Sequence, residues 1–151
     1  MGNRNHHVFD AMQARAPYFD QAVAALITDL YDRGLDKRVM VIVTGEFGRT
    51  PKISYAADSV SGVKQPGRDH WPRATSMMFA GGGIDTGKVI GATDPRGEDP
   101  IERRIGPHDF LATVYRHLGV DVRDLEFLDF SGRPIPVLNG GTVIEELTAS
   151  V

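Results

Sequence analysis

A continuous run of apolar, mostly β-branched residues is the feature that most constrains how this chain can fold. Residues 39–43 read Val-Met-Val-Ile-Val, a pattern typical of a strand that is buried on both faces of a sheet. An apolar helical repeat precedes this run, between Pro17 and Gly34. A helix followed by a buried strand is half of a doubly wound unit. The sequence therefore predicts an α/β fold with a central, mostly parallel sheet flanked by helices.

Other segments extend this prediction. Residues 74–80 form a second apolar run and predict a second core strand, and the three glycines after it predict a turn or a close backbone approach. The pattern from Pro107 to Gly119 predicts a second helix. Residues 54–65 contain few apolar side chains and predict a mobile loop. Phe9 and Met12 predict either a separate helical turn before Pro17 or one longer, kinked helix.

Composition narrows the class of protein. The 151 residues suit a single domain, and a net charge of −3 disfavours nucleic-acid binding and attraction to anionic membranes. No stretch reaches the roughly 18 apolar residues of a membrane span. Because the chain has no cysteine, any metal ligand must come from His, Asp, Glu or backbone oxygen.

Chemistry-bearing residues concentrate in the two loops that follow the predicted strands. The Asp69-His70 pair can ligate a divalent ion, or it can be a structural pair beside Trp71, and the residue types alone favour the structural role. Glu46 can serve as a metal ligand or general base, or it can be a solvated turn residue. Arg49 can bind a substrate oxyanion, or it can pair with Glu46 to hold the turn.

Four motifs, in this order and spacing, resemble the DUF1501 family. Supporting matches surround them, so that the resemblance covers about residues 9–138. The motifs are Gly-Glu-Phe-Gly-Arg-Thr-Pro at residues 45–51, Gly-Arg-Asp-His-Trp-Pro at 67–72, Ala-Gly-Gly-Gly at 80–83 and Val-Ile-Gly-Ala-Thr-Asp at 89–94.

The resemblance implies an alkaline-phosphatase-like and sulfatase-like sandwich with a metal-assisted site for phosphate or sulfate esters. It implies that Glu46, Asp69 and His70 are ligands of a divalent ion (Zn, Ca or Mn) or groups that orient its ligands. It also implies that Arg49 is a catalytic contact to the oxyanion. Phe47 stands where a histidine ligand is expected, which implies an incomplete ligand set. The family is often exported through a twin-arginine signal, whereas this sequence contains no signal peptide, so its own localisation is left open.

Two functional hypotheses follow from the resemblance. In the first, residues 1–151 are the C-terminal portion of a larger DUF1501 domain with metal-dependent ester hydrolase activity, and this chain alone has little or no turnover. In the second, the chain is a binding or scaffold module of an exported assembly, and Glu46, Arg49 and Asp69 form a structural network. A third hypothesis is an autonomous small α/β ligand-binding domain that folds alone. Missing sheet neighbours would then leave an exposed apolar edge on the strand at residues 39–43, which favours dimerisation or aggregation.

Overall fold

A computed structural model describes residues 8–57 and 62–148 of the chain. Within them lie two α-helices, α1 (Val8–Asp32) and α2 (Pro107–His117), and a 3₁₀ turn at Glu145–Leu147. The strands are β1 (Met40–Thr44), β2 (Gly48–Arg49), β3 (Ser54–Ala57), β4 (Lys64–Gly67), β5 (His70–Trp71), β6 (Met77–Gly81), β7 (Ala92–Thr93), β8 (Pro100–Glu102), β9 (Glu126–Leu128) and β10 (Pro134–Pro136).

The strands of the described residues form five two-stranded pairs, and every pair is antiparallel. The prediction of a central, mostly parallel sheet is therefore wrong, and the alkaline-phosphatase-like sandwich implied with it is not observed. A parallel pair needs a crossover connection, usually a helix. Residues 45–76 contain no helix among those described, and β6 instead returns directly alongside β1.

Strands β1 to β6 form one long arm that folds back on itself. The outgoing strands β1, β2 and β3 pair in turn with the returning strands β6, β5 and β4. The segment at residues 54–65, predicted to be a mobile loop, instead contains β3 and the first half of β4, which pair with each other. Residues 58–61 of this segment lie outside the described part. The arm brings the segments at 45–51 and 67–72 face to face.

Both predicted helices are present. α1 runs without interruption from Val8 to Asp32 and contains Pro17, so the longer of the two predicted arrangements is confirmed. α2 spans Pro107–His117, as its apolar repeat indicates, and its Phe110 packs on Phe79 of β6 with ring centroids 6.2 Å apart. Neither helix in the described part carries an apolar segment of transmembrane length.

The glycines after β6 allow a close backbone approach, as the sequence predicts. Gly81 has a φ of 67°, and a Cβ built there would lie 2.4 Å from the Val39 carbonyl oxygen. The Gly82 N–H donates to the same carbonyl oxygen at 2.7 Å. A side chain at position 81 would therefore separate the two chain segments just where the β1–β6 ladder is completed.

The core is thin. Among the described residues the buried hydrophobic side chains are Leu30, Ala80, Ala112, Ile144 and Leu147. The accessible surface is 11603 Å², whereas a compact monomer of 16.5 kDa exposes about 7,500 Å². Several large apolar side chains on α1 are more than half exposed, including Met12 at 58%, Tyr18 at 75% and Phe19 at 55%. The chain therefore presents much apolar surface that has no cover among the described residues.

The start of α2 holds the segment that leads to the 3₁₀ turn. The Asp109 carboxylate accepts the backbone N–H groups of Gly106 and Thr142, each at 2.8 Å. Thr113, which is 5% exposed, donates its hydroxyl to the Asp109 carbonyl oxygen and accepts the Ile144 N–H at 2.9 Å. These bonds seat Ile144 and Leu147 in the core.

We call the two backbone hydrogen bonds that the Asp109 carboxylate accepts the Asp109 clamp. This clamp predicts a contribution to folding stability that is lost in acid. The Gly106 N–H, followed by the Thr142 N–H, lowers the pKa of Asp109 below its ordinary value of 3.8. Because the folded-state pKa is depressed, the contribution is complete above about pH 4 and is lost as the pH falls through the folded-state pKa.

We expect Asp109→Asn to cost about 1 to 2 kcal/mol at pH 7, because an amide oxygen replaces a charged acceptor of two N–H bonds. The difference in unfolding free energy between wild type and variant, measured by urea denaturation, should shrink from pH 6 to pH 3. A difference that stays constant over this range would show that the carboxylate charge does not hold the clamp.

Candidate functional site

The short β2–β5 ladder joins the two chemistry-bearing loops. Gly48 lies opposite Trp71, and Arg49 lies opposite His70. Side chains directly opposite each other in an antiparallel pair have Cβ atoms about 5 Å apart and lie on the same face. The structure thus brings together Arg49 and His70, two of the predicted site residues, which are separated by a long excursion of the chain.

Phe47 forms the floor of this pair. Its ring centroid lies 3.9 Å from that of His70, with an interplanar angle of 34°. The Arg49 guanidinium carbon lies 5.6 Å from the same Phe47 centroid, within the range of a cation–π contact. We call Phe47, Arg49 and His70 the cationic cluster. Arg49 and His70 are exposed and Phe47 is half-buried, so the cluster presents its donors to solvent.

Arg68 fixes the position of Arg49. Arg49 Nη1 donates to the Arg68 carbonyl oxygen at 3.4 Å, and Arg68 Nη2 donates to the Arg49 carbonyl oxygen at 3.1 Å. Arg68 also donates through Nε to the Thr50 carbonyl oxygen. Each guanidinium therefore grips the backbone of the opposite strand, and within the described ranges neither one pairs with a carboxylate.

Asp69 is held by Thr50 across the ladder. The Thr50 N–H donates to the Asp69 carbonyl oxygen at 2.9 Å, and the Asp69 N–H donates to the Thr50 hydroxyl at 3.0 Å. The Asp69 carboxylate accepts a weak hydrogen bond from the Ser54 hydroxyl at 3.5 Å. These contacts give Asp69 a structural role: it extends the ladder that aligns His70 with Arg49.

A turn at residues 94–99 supports the ladder from the side. Trp71 Nε1 donates to the Glu98 carbonyl oxygen at 2.7 Å. The turn itself closes on Asp94, whose carboxylate accepts the N–H groups of Arg96 and Glu98 and whose own N–H donates to Asp99. Trp71 is therefore a structural anchor that ties β5 to a preformed turn.

The predicted metal ligands do not assemble into a complete site. Glu46 is exposed in the bend between β1 and β2. Within the described ranges there is no group of three or more His, Asp or Glu side chains that could hold a metal ion. Asp69 and His70 are also engaged, by Ser54 and by the Phe47 ring. The residues present do not fit a complete divalent-ion site, and ligand roles for Glu46, Asp69 and His70 stay predictions.

Two members of this site received no role from the sequence. The sequence marks Phe47 only as a residue in place of a histidine, whereas its ring is the surface on which His70 and Arg49 lie. Arg68 belongs to the motif at residues 67–72, and its grip on the outgoing strand depends on the strand register. A local motif does not specify register, so the only signal for Arg68 was its position two residues before His70.

Comparison with known proteins places the chain in one family. The DUF1501 family, described as proteins of unknown function, matches residues 5–148. The chain belongs to the DUF1501 family. No curated protein and no solved structure gives a significant match. The family predicted from the four motifs is thereby confirmed for this DUF1501 chain, whereas the superfamily placement and the hydrolase chemistry implied with it are not shown.

The connection between β5 and β6 makes Gly48 a sterically restricted position in this DUF1501 chain. Residues 71–81 on the returning side span two more positions than residues 40–48 on the outgoing side. The extra length passes close over β2, and a Cβ at Gly48 would lie 1.8 Å from the Ala74 carbonyl oxygen. No side chain fits there without movement of the backbone.

We expect Gly48→Ala to destabilise the ladder by about 2 kcal/mol or more through this overlap. Gly67→Ala in β4 is the matched control, because a Cβ there has nothing within 4 Å, and it should change stability by less than about 0.5 kcal/mol. Trp71 is the only tryptophan, so its fluorescence during urea unfolding reports on the ladder directly. Equal effects of the two substitutions would contradict this account of the close approach at Gly48.

Proposed function

We propose that this DUF1501 chain binds the phosphate or sulfate group of a small-molecule ester at the cationic cluster. The observation that carries the proposal is the Arg49–His70 pair, aligned across the β2–β5 ladder on the Phe47 ring. A phosphate or sulfate group with several non-bridging oxygens suits such a pair, because guanidinium and imidazole groups offer N–H donors from two directions.

The donor count supports this ligand class. A guanidinium has five N–H donors, and Arg49 uses one of them on the Arg68 carbonyl oxygen. Its remaining donors face no carboxylate in the described part of the chain, in contrast to Arg73, Arg103 and Arg133, which are ion-paired. Arg49 is therefore free to form a bidentate contact with an anion, and Arg68 adds a second positive charge beside it.

The proposal is limited to binding. The described residues supply oxyanion donors but no complete set of metal ligands, so we derive no hydrolytic step from them. Metal-dependent ester hydrolysis, as the resemblance implies, belongs to the proposal only as an activity to be tested. Release of p-nitrophenol from p-nitrophenyl phosphate or sulfate, dependent on added metal and abolished by His70→Ala, would extend the function from binding to catalysis.

A second candidate function is a non-catalytic scaffold, in which these loops only hold the arm together. The hydrogen bonds between Thr50 and Asp69, and between Arg68 and the β2 backbone, favour it because they are all internal. The two functions differ at Arg49. A scaffold role predicts that added anions do not bind the Arg49 guanidinium, whereas a binding role predicts that they do.

Titration of the chain with inorganic phosphate, sulfate and phenyl phosphate tests the proposal, with Trp71 fluorescence and calorimetry as readouts. We expect saturable binding that Arg49→Gln weakens at least tenfold and Arg49→Lys weakens less, because lysine retains the charge but not the bidentate geometry. Binding should also weaken with added chloride salt, since the cluster is exposed.

Arg104→Gln is the matched control, because Arg104 is also exposed and has no ion-pair partner among the described residues. It should leave the affinity unchanged. An absence of saturable binding, or an equal loss in Arg104→Gln and Arg49→Gln, would contradict the binding function and leave the scaffold function as the better account.

A further inference from the structure

The free edge of β1 is the most consequential surface that the proposed anion site does not use. In the described part of the chain β1 pairs only with β6. The Gly82 N–H donates to the Val39 carbonyl oxygen, which marks Val39 as an inward-facing residue of this ladder. Because inward and outward positions alternate in an antiparallel pair, Met40, Ile42 and Thr44 direct their backbone N–H and C=O groups away from β6.

Within residues 8–57 and 62–148 this edge lacks the usual protection against pairing. Natural edge strands are blunted by proline, inward charges, bulges or a covering segment. β1 has no proline or charged residue, and Met40 to Val43 are half-buried rather than fully buried. No backbone hydrogen bond from a described residue covers the outward groups of Met40, Ile42 or Thr44. A two-stranded sheet is also marginal by itself in water. These features favour an added strand.

The outward backbone groups select one register for a second copy of β1. An antiparallel pair centred on Ile42 places Ile42 opposite itself and Met40 opposite Thr44 of the second copy. All three outward residues of each strand then become hydrogen-bonded pairs, giving about six backbone hydrogen bonds. A shift of two residues in either direction loses one of these positions from each strand.

The charges that flank β1 select the same register. Arg38 precedes the strand and Glu46 follows it, and both are exposed. Each lies four residues from Ile42, so the twofold arrangement puts Arg38 of one copy near Glu46 of the other, twice. Among the described residues neither side chain has an ion-pair partner. The outward backbone groups and the flanking charges therefore favour the same register, an antiparallel pair centred on Ile42.

The free edge of β6 does not offer the same fit. Its flanking charges are already paired within the chain, Arg73 with Asp99 and Asp85 with Lys88. The Gly81 carbonyl oxygen on that edge already accepts the Ile84 N–H. The β1 edge is the better interface for a second copy.

The exposed area also suits a second copy. A specific dimer buries about 800 Å² on each partner. The accessible surface of 11603 Å² exceeds by several thousand Å² what a compact monomer of this mass exposes. We propose that two copies of this chain pair through the free edge of β1, antiparallel about Ile42, and form a four-stranded sheet in the order β6, β1, β1, β6.

Charge reversal tests the register. By analytical ultracentrifugation we expect the wild-type chain to be a dimer, and Arg38→Glu and Glu46→Arg each to raise the dimer dissociation constant at least tenfold. The two variants mixed together should form a heterodimer, because every flanking pair is then complementary. The double variant Arg38→Glu/Glu46→Arg should recover the wild-type dissociation constant, since both pairs are restored with inverted sign.

Arg104→Glu and Glu126→Arg are the matched controls, because both positions are exposed and distant from β1 in sequence. They should leave the dissociation constant unchanged. A monomeric wild type at 100 µM would overturn the proposal. So would single variants that dimerise as well as wild type, or a mixture that associates no better than its components.

A cysteine at the twofold axis gives a second, covalent readout. The chain contains no cysteine, so Ile42→Cys can form a disulfide only with another copy. Directly hydrogen-bonded partners in an antiparallel pair lie about 5.5 Å apart at Cα, within disulfide range. Mild oxidation should cross-link Ile42→Cys rapidly and Val89→Cys, which is 96% exposed, only slowly. Equal rates would contradict the register, and neither experiment depends on anion binding.

Discussion

The antiparallel ladder between β1 and β6 is the constraint on which the rest of the described structure depends. It returns the chain to its starting point after a long excursion, and the close approach at Gly81 and Gly82 completes it. Because these two strands run in opposite directions, the segments that follow one and precede the other must also meet. The β2–β5 ladder, and with it the pairing of Arg49 and His70, is a consequence of this return.

The sequence predicted the elements better than their pairing. Both helices and both apolar strands were predicted, since their periodicity reflects burial that each segment encodes locally. Strand direction is not encoded in this way. An apolar run such as residues 39–43 suits both a central strand of a parallel sheet and an edge strand of an antiparallel sheet that has no protecting proline or charge. Strands β3 and β4 were missed because Lys64 to Gly67 has weak strand propensity and pairs only through the returning chain.

The candidate site shows the same division. The residue types at 46, 49, 69 and 70 indicated where the chemistry lies, and the structure brings Arg49 together with His70. The roles depend on register, which no local pattern contains. Phe47 illustrates this point: its identity suggested a lost ligand, but its place beneath His70 and Arg49 gives it a positive role as their support. The register of the β2–β5 ladder thus makes Phe47 part of the site, although its identity alone argues against a metal site there.

The two proposals meet at Glu46. Glu46 lies in the bend after β1, only three residues before Arg49, so the negative charge of its carboxylate opposes the binding of an anion at Arg49. Pairing of β1 with a second copy would engage that carboxylate with Arg38 of the other chain and leave the cationic cluster more positive. Linkage then requires the reverse effect: an anion bound at Arg49 would favour the paired state by the same free energy. Glu46, which the sequence suggests as a metal ligand, would thereby couple self-association to ligand binding.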